Sequence, residues 1–216
     1  MQHLALKPSR CKIANKQALK KSIWIILITL FLDQALKIWV KTHMFLGQEY
    51  KILDWFYIHF TENNGMAFGM ELGGDWGKLT LSLFRIVFVA FIVVYLIKLV
   101  NKKADQILIS SLSLVIAGAI GNIIDGVAYG ALFSDSYHQT ASFLPETGGY
   151  APLFFGKVVD MFYFPMFKGY LPEWLPYWGG EYAVFFRPVF NIADAAISIG
   201  VGIMILFQKR IMKEID

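Results

Sequence analysis

The sequence has few cysteines and few charged residues, and each shortage excludes a class of protein. Cys11 is the only cysteine among 216 residues, which excludes an intrachain disulfide framework and a thiolate-rich zinc site. Charged residues make up 17% of the chain and hydrophobic residues 56%. Soluble domains usually have about 25% charged residues. The composition therefore excludes an ordinary soluble domain, a disordered chain and a coiled coil, and indicates a membrane protein.

Four apolar stretches are long enough to cross a hydrocarbon core of about 30 Å, which takes about 20 helical residues. They predict transmembrane helices at 22–41, 79–100, 106–127 and 188–207. The first stretch lacks a small-residue cleavage site, so we interpret it as a retained helix and not a signal peptide. The predicted fold class is an all-α membrane protein with four transmembrane helices, forming a single integral membrane domain over residues 1–216.

Basic residues predict the orientation of these helices. The leader 1–21 contains five lysines and one arginine but no acidic residue, and the link between the second and third helices and the C-terminal tail are also basic. The long connections 42–78 and 128–187 hold most of the acidic residues. The positive-inside rule then places both termini in the cytoplasm and both long connections outside it. We interpret the leader as a topology signal that contacts anionic lipid, not as a nucleic-acid site.

The long connections contain elements of their own. Residues 51–70 alternate loosely in polarity and include Asn64-Gly65, a turn signal, so they predict a small extracytoplasmic β-hairpin or sheet. Residues 162–182 mix aromatic residues with prolines and glycines, which excludes a continuous helix. Their Trp and Tyr content favours the lipid headgroup layer. Residues 134–152 predict a polar loop.

Polar residues within the apolar stretches require a structural or functional explanation. Inserting an ionisable side chain into the membrane there costs about 2.5–3.5 kcal/mol of free energy on insertion scales. These polar residues recur at helical spacing in three stretches: Thr29, Asp33 and Lys37; Gly118, Gly121, Asn122 and Asp125; Asn191, Asp194, Ser198 and Gly202. In the predicted topology they gather in the extracytoplasmic half of the membrane, where Asp160 can join them. The sequence therefore predicts one polar site.

Simpler explanations stay open for several of these residues. Asp33 and Lys37 fit a purely structural ion pair between positions i and i+4 of a helix. Asn191 or Asp194 fits the N-cap of the fourth helix. Arg85 fits either a lipid phosphate contact or a carboxylate partner. The histidines lack the spacing of a metal site, so we expect neither a metal nor another cofactor.

Five blocks resemble, in order and membrane placement, the signature blocks of bacterial lipoprotein signal peptidase, or signal peptidase II: DQALK at 33–37, NNGMAFG at 63–69, GNIID at 121–125, VVDMF at 158–162 and RPVFNIAD at 187–194. The resemblance implies an aspartic endopeptidase, a hydrolase of the bacterial inner (cytoplasmic) membrane. Such enzymes remove the signal peptide of a diacylglyceryl-modified prolipoprotein on the amino side of its lipidated cysteine. The resemblance also implies contact with membrane lipids and inhibition by globomycin.

The same resemblance implies roles for individual residues. The catalytic pair falls on Asp160 and Asp194. The residues expected to bind substrate or support the site are Asp33, Lys37, Asn63, Gly65, Asn122, Asp125 and Asn191.

The chain departs from the family pattern in two ways. Gly126 stands where the third block usually has an arginine, which leaves the charge partner of Asp125 open between Arg187 and Arg85. The intervals between the last three blocks are also longer than usual. The additions fall in the polar loop and the aromatic segment, within 128–157 and 162–186, and predict a variant extracytoplasmic rim.

Two carboxylates suffice for peptide hydrolysis without a metal. When they are held close together, one keeps a proton while the other stays charged, so one can donate a hydrogen bond while the other activates water. The alternatives are a small proton- or ion-translocating membrane protein that uses intramembrane carboxylates, and a non-catalytic membrane adaptor. The sequence has no internal repeat of the kind that many transporters contain, which favours the peptidase.

Overall fold

The structure is a computed structural model that describes residues 8–65 and 74–212. The chain divides into two compact units. The first, here called the helical unit, consists of Met1–Gln34, Leu79–Ile124 and Ile192–Asp216, and the second, the sheet unit, of Ala35–Lys78 and Asp125–Asn191. Residues 1–7 of the leader, Lys213 of the tail and residues 66–69 of the second motif lie outside the described residues.

Six α-helices are described. Their bounds are α1 Pro8–His43, α2 Gly74–Lys102, α3 Gln106–Ile124, α4 Gly130–Leu132, α5 Ile192–Leu206 and α6 Gln208–Met212. A π-helical turn, Asp125–Tyr129, joins α3 to α4. Three segments are long and apolar enough to cross a membrane: Asn15–His43, Trp76–Lys102 and Gln106–Leu132. They match the first three predicted helices.

The fourth predicted helix is shorter than expected. The sequence predicts helix over 188–207, but α5 covers only Ile192–Leu206, a length of 15 residues. The backbone before it is extended, because Val189 and Phe190 form strand β6 and pair with Tyr163 and Phe162 of strand β3. Val189 and Phe190, which the apolar pattern assigned to the helix, are therefore part of the sheet instead.

The helical unit is held together by an apolar core and by close contact between α3 and α5. The core residues come from α1, α2, α3 and α6: Ala18, Leu96, Leu99, Val100, Leu108, Ile109, Leu112, Ile116 and Ile211. A methyl group at Gly118 of α3 would overlap the carbonyl oxygen of Ala193 in α5. The predicted small-residue contact is confirmed there. On α5 it is Gly200 that packs closely, whereas the predicted Gly202 has open space within 4 Å of its Cβ position.

The sheet unit contains a four-stranded antiparallel sheet in the order β1-β2-β3-β6 and a separate two-stranded hairpin, β4-β5. The strands are β1 Glu49–Leu53, β2 Phe56–Asn63, β3 Val158–Tyr163, β4 Phe167–Tyr170, β5 Tyr182–Phe185 and β6 Val189–Phe190. The small β-element predicted from the sequence is therefore present. The aromatic segment 162–182 is non-helical, as predicted, and contributes to β3, β4 and β5.

The turn of the first hairpin was predicted in the wrong place. Leu53 of β1 pairs with Phe56 of β2, so the turn lies at Asp54-Trp55 and not at Asn64-Gly65. A hydrogen bond between Lys51 and Asp54 raises the pKa of Lys51 and lowers that of Asp54 in this exposed turn. Gly65 adopts φ 83°, but it follows the end of β2, whose second partner is the distant strand β3. The turn signal therefore marks the end of a strand.

Candidate active site

Asp160 lies buried in β3 and is held by two side-chain amides. The register pairs Asn63 with Val158 and Thr61 with Asp160, which puts Asn63 and Asp160 on the same sheet face. Asn63 Nδ2 donates a hydrogen bond to Asp160 Oδ2. Asn191 Nδ2 donates to the other carboxylate oxygen, Oδ1, at 2.7 Å. Both oxygens of this carboxylate are therefore oriented by protein donors.

Asn63 and Asn191 are themselves fixed. The backbone N–H of Gly65 donates to Asn63 Oδ1 at 2.5 Å, which explains the need for a glycine turn after β2. Asn191 is fully buried directly before α5, in the position of an N-cap, and its Nδ2 also lies 3.3 Å from the carbonyl oxygen of Val159. Capping alone therefore does not describe Asn191, because its amide donates to β3.

The charge partner of Asp125 is Lys37. The ammonium of Lys37 on α1 lies 2.7 Å from Asp125 Oδ2, and both side chains are fully buried. The backbone N–H of Val159 donates to the same oxygen at 3.3 Å. Arg187, one of the two candidates from the sequence, is exposed. The expectation that an arginine replaces the missing one is wrong for Asp125, because a lysine one helical turn after Asp33 reaches it.

In the helical unit, Asp33 binds the beginning of α5. Its Oδ1 accepts the backbone N–H of Ala193 at 2.9 Å, and its Oδ2 accepts Gln34 Nε2 at 3.1 Å. The first N–H groups of a helix lack partners within the helix and favour a negative charge. A methyl group at Gly121 would come within 2.6 Å of Asp33 Oδ2, so the glycine makes room for the carboxylate. Asp33 thus positions α5.

Asp194 is half-buried in the first turn of α5. Asn122 Nδ2 on α3 donates to Asp194 Oδ1 at 2.8 Å. Arg85 on α2 interacts electrostatically with the same carboxylate, which favours the carboxylate-partner interpretation of this arginine. Asp194 therefore accepts a hydrogen bond from an amide, is attracted electrostatically by Arg85 and lies at the positive end of its own helix.

Each of the nine site residues predicted from the sequence makes a hydrogen bond or an ion pair described above. The sheet unit brings together Lys37, Asn63, Gly65, Asp125, Asp160 and Asn191. The helical unit brings together Asp33, Asn122 and Asp194 through α5. The chain itself links the two sets, because Asn191 of the sheet unit precedes Asp194 by three positions.

Among the described residues of the sheet unit, four buried or partly buried charged residues were not singled out from the sequence: Lys41, Glu62, Lys78 and Lys157. Lys41 is fully buried on α1 and forms an ion pair with Glu62 of β2. Lys78 Nζ donates to Asn64 Oδ1 at 3.0 Å and to the carbonyl oxygen of Phe155 at 2.9 Å. Lys41 continues the four-residue spacing of Asp33 and Lys37, a signal that could have identified it. Nothing comparable marks Glu62 or Lys78.

Comparison with known proteins identifies the family of the chain. A family model described as signal peptidase (SPase) II matches residues 25–209. A lipoprotein signal peptidase of Porphyromonas gingivalis strain ATCC 33277 is 54% identical over 187 residues, covering 86% of this chain and 81% of that protein. The lipoprotein signal peptidase of Amoebophilus asiaticus strain 5a2 is 34% identical over 202 residues, covering 90% of this chain and 81% of that protein.

Two solved structures have a similar fold. A bacterial membrane enzyme determined by the in meso method at 2.3 Å resolution gives a TM-score of 0.58 at 24% identity, covering 88% of each chain. A second bacterial membrane enzyme, determined by the same method at 1.9 Å, gives a TM-score of 0.55 at 26% identity, covering 86% of this chain and 90% of that one. The solved structures thus show a similar fold, and the family model and the curated relatives establish that the chain belongs to the signal peptidase II family.

Proposed function

We propose that this protein is a lipoprotein signal peptidase, which removes the signal peptide from diacylglyceryl-modified prolipoproteins on the amino side of the lipidated cysteine. Family membership and relatives with that name support the reaction class. The observation that carries the proposal is the carboxylate of Asp160, buried and held by amides from two separate motifs. No such arrangement is needed by an adaptor that only binds a partner.

Asp160 and Asp194 are the proposed catalytic carboxylates. Two aspartates that share one proton provide a base and an acid at once. The charged carboxylate draws a proton from the attacking water, and the neutral one donates a hydrogen bond to the scissile carbonyl oxygen as it becomes negative. Asn63 and Asn191 orient Asp160, and Asn122 orients Asp194.

The other motif residues bind the elements that carry this pair. Asp33 holds the N-terminal end of α5, the helix that carries Asp194. The Lys37–Asp125 pair binds the backbone of Val159, the residue before Asp160. Gly65 fixes Asn63 through its backbone N–H. Each of these contacts is one residue or one hydrogen bond away from a proposed catalytic carboxylate.

The proposed environment is the bacterial inner membrane, with α5 as a fourth spanning helix and both termini in the cytoplasm. At 15 residues, α5 is shorter than the usual span of about 20 residues, a mismatch that local thinning of the bilayer accommodates at modest cost. The hairpin β4-β5 carries exposed aromatic rings at its tip, with Trp174 78% and Tyr177 96% exposed. Such rings favour the headgroup layer, so the hairpin is the proposed lipid contact.

The function is tested with purified enzyme and a diacylated lipobox peptide, by mass spectrometry of the products. The expected wild-type product lacks the signal peptide, and globomycin blocks its formation. Asp160→Asn and Asp194→Asn are expected to stay folded and lose cleavage by at least about 10³-fold, since each removes an acid–base group. Asp54→Asn, in the exposed turn between β1 and β2, is the matched control outside the site. Full cleavage by either site variant would contradict the catalytic assignment.

A further inference from the structure

A second cluster of buried charge lies in the sheet unit. The ammonium of Lys41 at the end of α1 pairs with Glu62 Oε1, and the two side chains are 0% and 4% exposed. Ser136 Oγ lies 3.0 Å from Lys41 Nζ and 3.5 Å from Glu62 Oε1. The ammonium of Lys157 lies 3.6 Å from the other oxygen of Glu62. Both oxygens of the Glu62 carboxylate are therefore held by cations.

Aromatic rings enclose the ammonium of Lys41. The rings of Phe60, Phe133 and Tyr150 have centroids 5.9, 5.7 and 4.8 Å from Lys41 Nζ. Attraction between a cation and an aromatic face offsets part of the cost of removing the ammonium from water. The buried charge of Lys41 is thus surrounded on several sides by partners suited to a cation.

The long connection before β3 supplies most of this enclosure. Phe133, Ser136 and Tyr150 all belong to the segment 133–157, part of the first addition noted in the sequence. The segment also binds the backbone near the end of α1. The N–H of Ala141 donates to the carbonyl oxygen of Lys41 at 3.0 Å, and that of Leu46 to Ser136 at 2.9 Å. The added residues therefore form a cover over the Lys41–Glu62 pair.

The cluster holds two strands at one point of the sheet. Asn63 of β2 and Val158, the first residue of β3, are register partners. Glu62 directly precedes Asn63, and Lys157 directly precedes Val158. Tyr150 Oη accepts the backbone N–H of Lys157 at 2.7 Å. Burial raises the pKa of Tyr150, so its hydroxyl stays protonated throughout the neutral range. The strands are thus fastened where Asn63 reaches Asp160.

The sheet geometry keeps this fastening separate from the site. Successive side chains of a strand point to opposite faces, so Glu62 faces away from Asn63. Glu62 can therefore anchor β2 without occupying the face on which Asn63 donates to Asp160. A buried ion pair contributes little net stability compared with an apolar pair of the same volume, but its directional bonds fix geometry.

We propose that Lys41, Glu62 and the segment 133–157 form a clamp that positions Asn63, and through Asn63 the carboxylate of Asp160, for peptide hydrolysis. Lys41, Glu62 and Tyr150 are positioning residues, because they act on the reaction through another side chain. The inference rests on the proposed function of Asp160. On this inference, the segment 133–157 contributes to catalysis and is not merely an exposed loop.

The main test is Glu62→Gln, assayed on the diacylated lipobox peptide with kcat and KM measured separately. The clamp predicts a loss of at least about tenfold in kcat with KM within about threefold, because a misplaced Asn63 affects the transition state more than substrate binding. Tyr150→Phe keeps the ring but loses the bond to Lys157, and is expected to lower kcat by about threefold or more. Wild-type kcat in both folded variants would overturn the clamp.

A matched control separates positioning from stability. Asp105 is a buried carboxylate of the helical unit, paired with Arg210 at 2.6 Å, and Asp105→Asn is expected to leave kcat unchanged. Lys41→Met/Glu62→Met fills the same space with apolar side chains and is expected to restore the melting temperature while kcat stays low. Full recovery of kcat in this double variant would show a merely structural pair and overturn the proposal.

The outcomes also separate this inference from the proposed function. If the wild type leaves the lipobox peptide intact, or if Asp160→Asn cleaves it, the proposed function fails and the clamp falls with it. If the wild type is active, Asp160→Asn is inactive and Glu62→Gln and Tyr150→Phe match the wild type, only the clamp fails.

Discussion

Lys37 and Asp125 show how much a single buried contact determines in this protein. An ammonium and a carboxylate without solvent contact carry a desolvation cost of several kcal/mol each, which only their mutual attraction and further hydrogen bonds offset. Val159 supplies such a bond to Asp125 and stands beside Asp160 in β3. The pair therefore fixes the backbone that carries a proposed catalytic carboxylate.

Removing one member of this pair is expected to destabilise the protein strongly. Lys37→Met leaves a buried carboxylate with its cation gone, which costs about 3–5 kcal/mol. Lys37→Met/Asp125→Leu removes both charges and should recover much of the loss. The measurement is the melting temperature of the purified protein in detergent. Lys51→Met, which breaks the exposed pair with Asp54, is the control and should melt like the wild type. Equal melting of Lys37→Met and the wild type would refute this account.

At the scale of helices and strands, the membrane-spanning helices could be predicted from the sequence, whereas the pairing of the strands could not. The spans Asn15–His43, Trp76–Lys102 and Gln106–Leu132 follow from apolar length, because each helix satisfies its own backbone hydrogen bonds. Strand pairing depends on distant sequence. Asn63 and Asp160 meet across 97 positions, and the hairpin turn was misplaced by a local signal at Asn64-Gly65. Apolar periodicity carries no information on such partners.

Close packing of α3 against α5 gives a prediction for the helices. Gly118→Ala would drive a methyl group into the carbonyl oxygen of Ala193 and displace the first turn of α5, which carries Asp194. We expect a lower melting temperature and a loss of at least about tenfold in kcat.

Gly202→Ala is the matched control on α5, because a Cβ there meets open space. Alanine is favoured over glycine in a helix by about 0.5–1 kcal/mol, so this variant should melt no lower than the wild type and keep its kcat. Indistinguishable behaviour of the two variants in melting and turnover would count against close α3–α5 packing as the determinant.

Across the whole molecule, the motif residues could be identified from the sequence, but the residues that pack around them and fix their positions could not. The proposed hydrolysis by two aspartates restricts which residue types can stand at Asp160, Asn63 and Asn191, and those types form short local motifs. The cover over Lys41 and Glu62 uses ordinary loop residues from 133–157, whose role arises only from folding. Chemistry thus leaves a local signature, whereas the packing that positions it is distributed along the chain.

The distribution of basic residues predicts one topology for the whole chain, and the single native cysteine makes it testable. Cys11 lies in the basic leader and should be cytoplasmic, whereas Tyr177, 96% exposed at the tip of the β4-β5 hairpin, should be extracytoplasmic. A membrane-impermeant maleimide added to right-side-out vesicles should therefore label Cys11→Ala/Tyr177→Cys and leave the wild type unlabelled. Inverted vesicles should give the reverse pattern. Labelling of both proteins from the same side would contradict the predicted orientation, because the two positions would then share one face of the membrane.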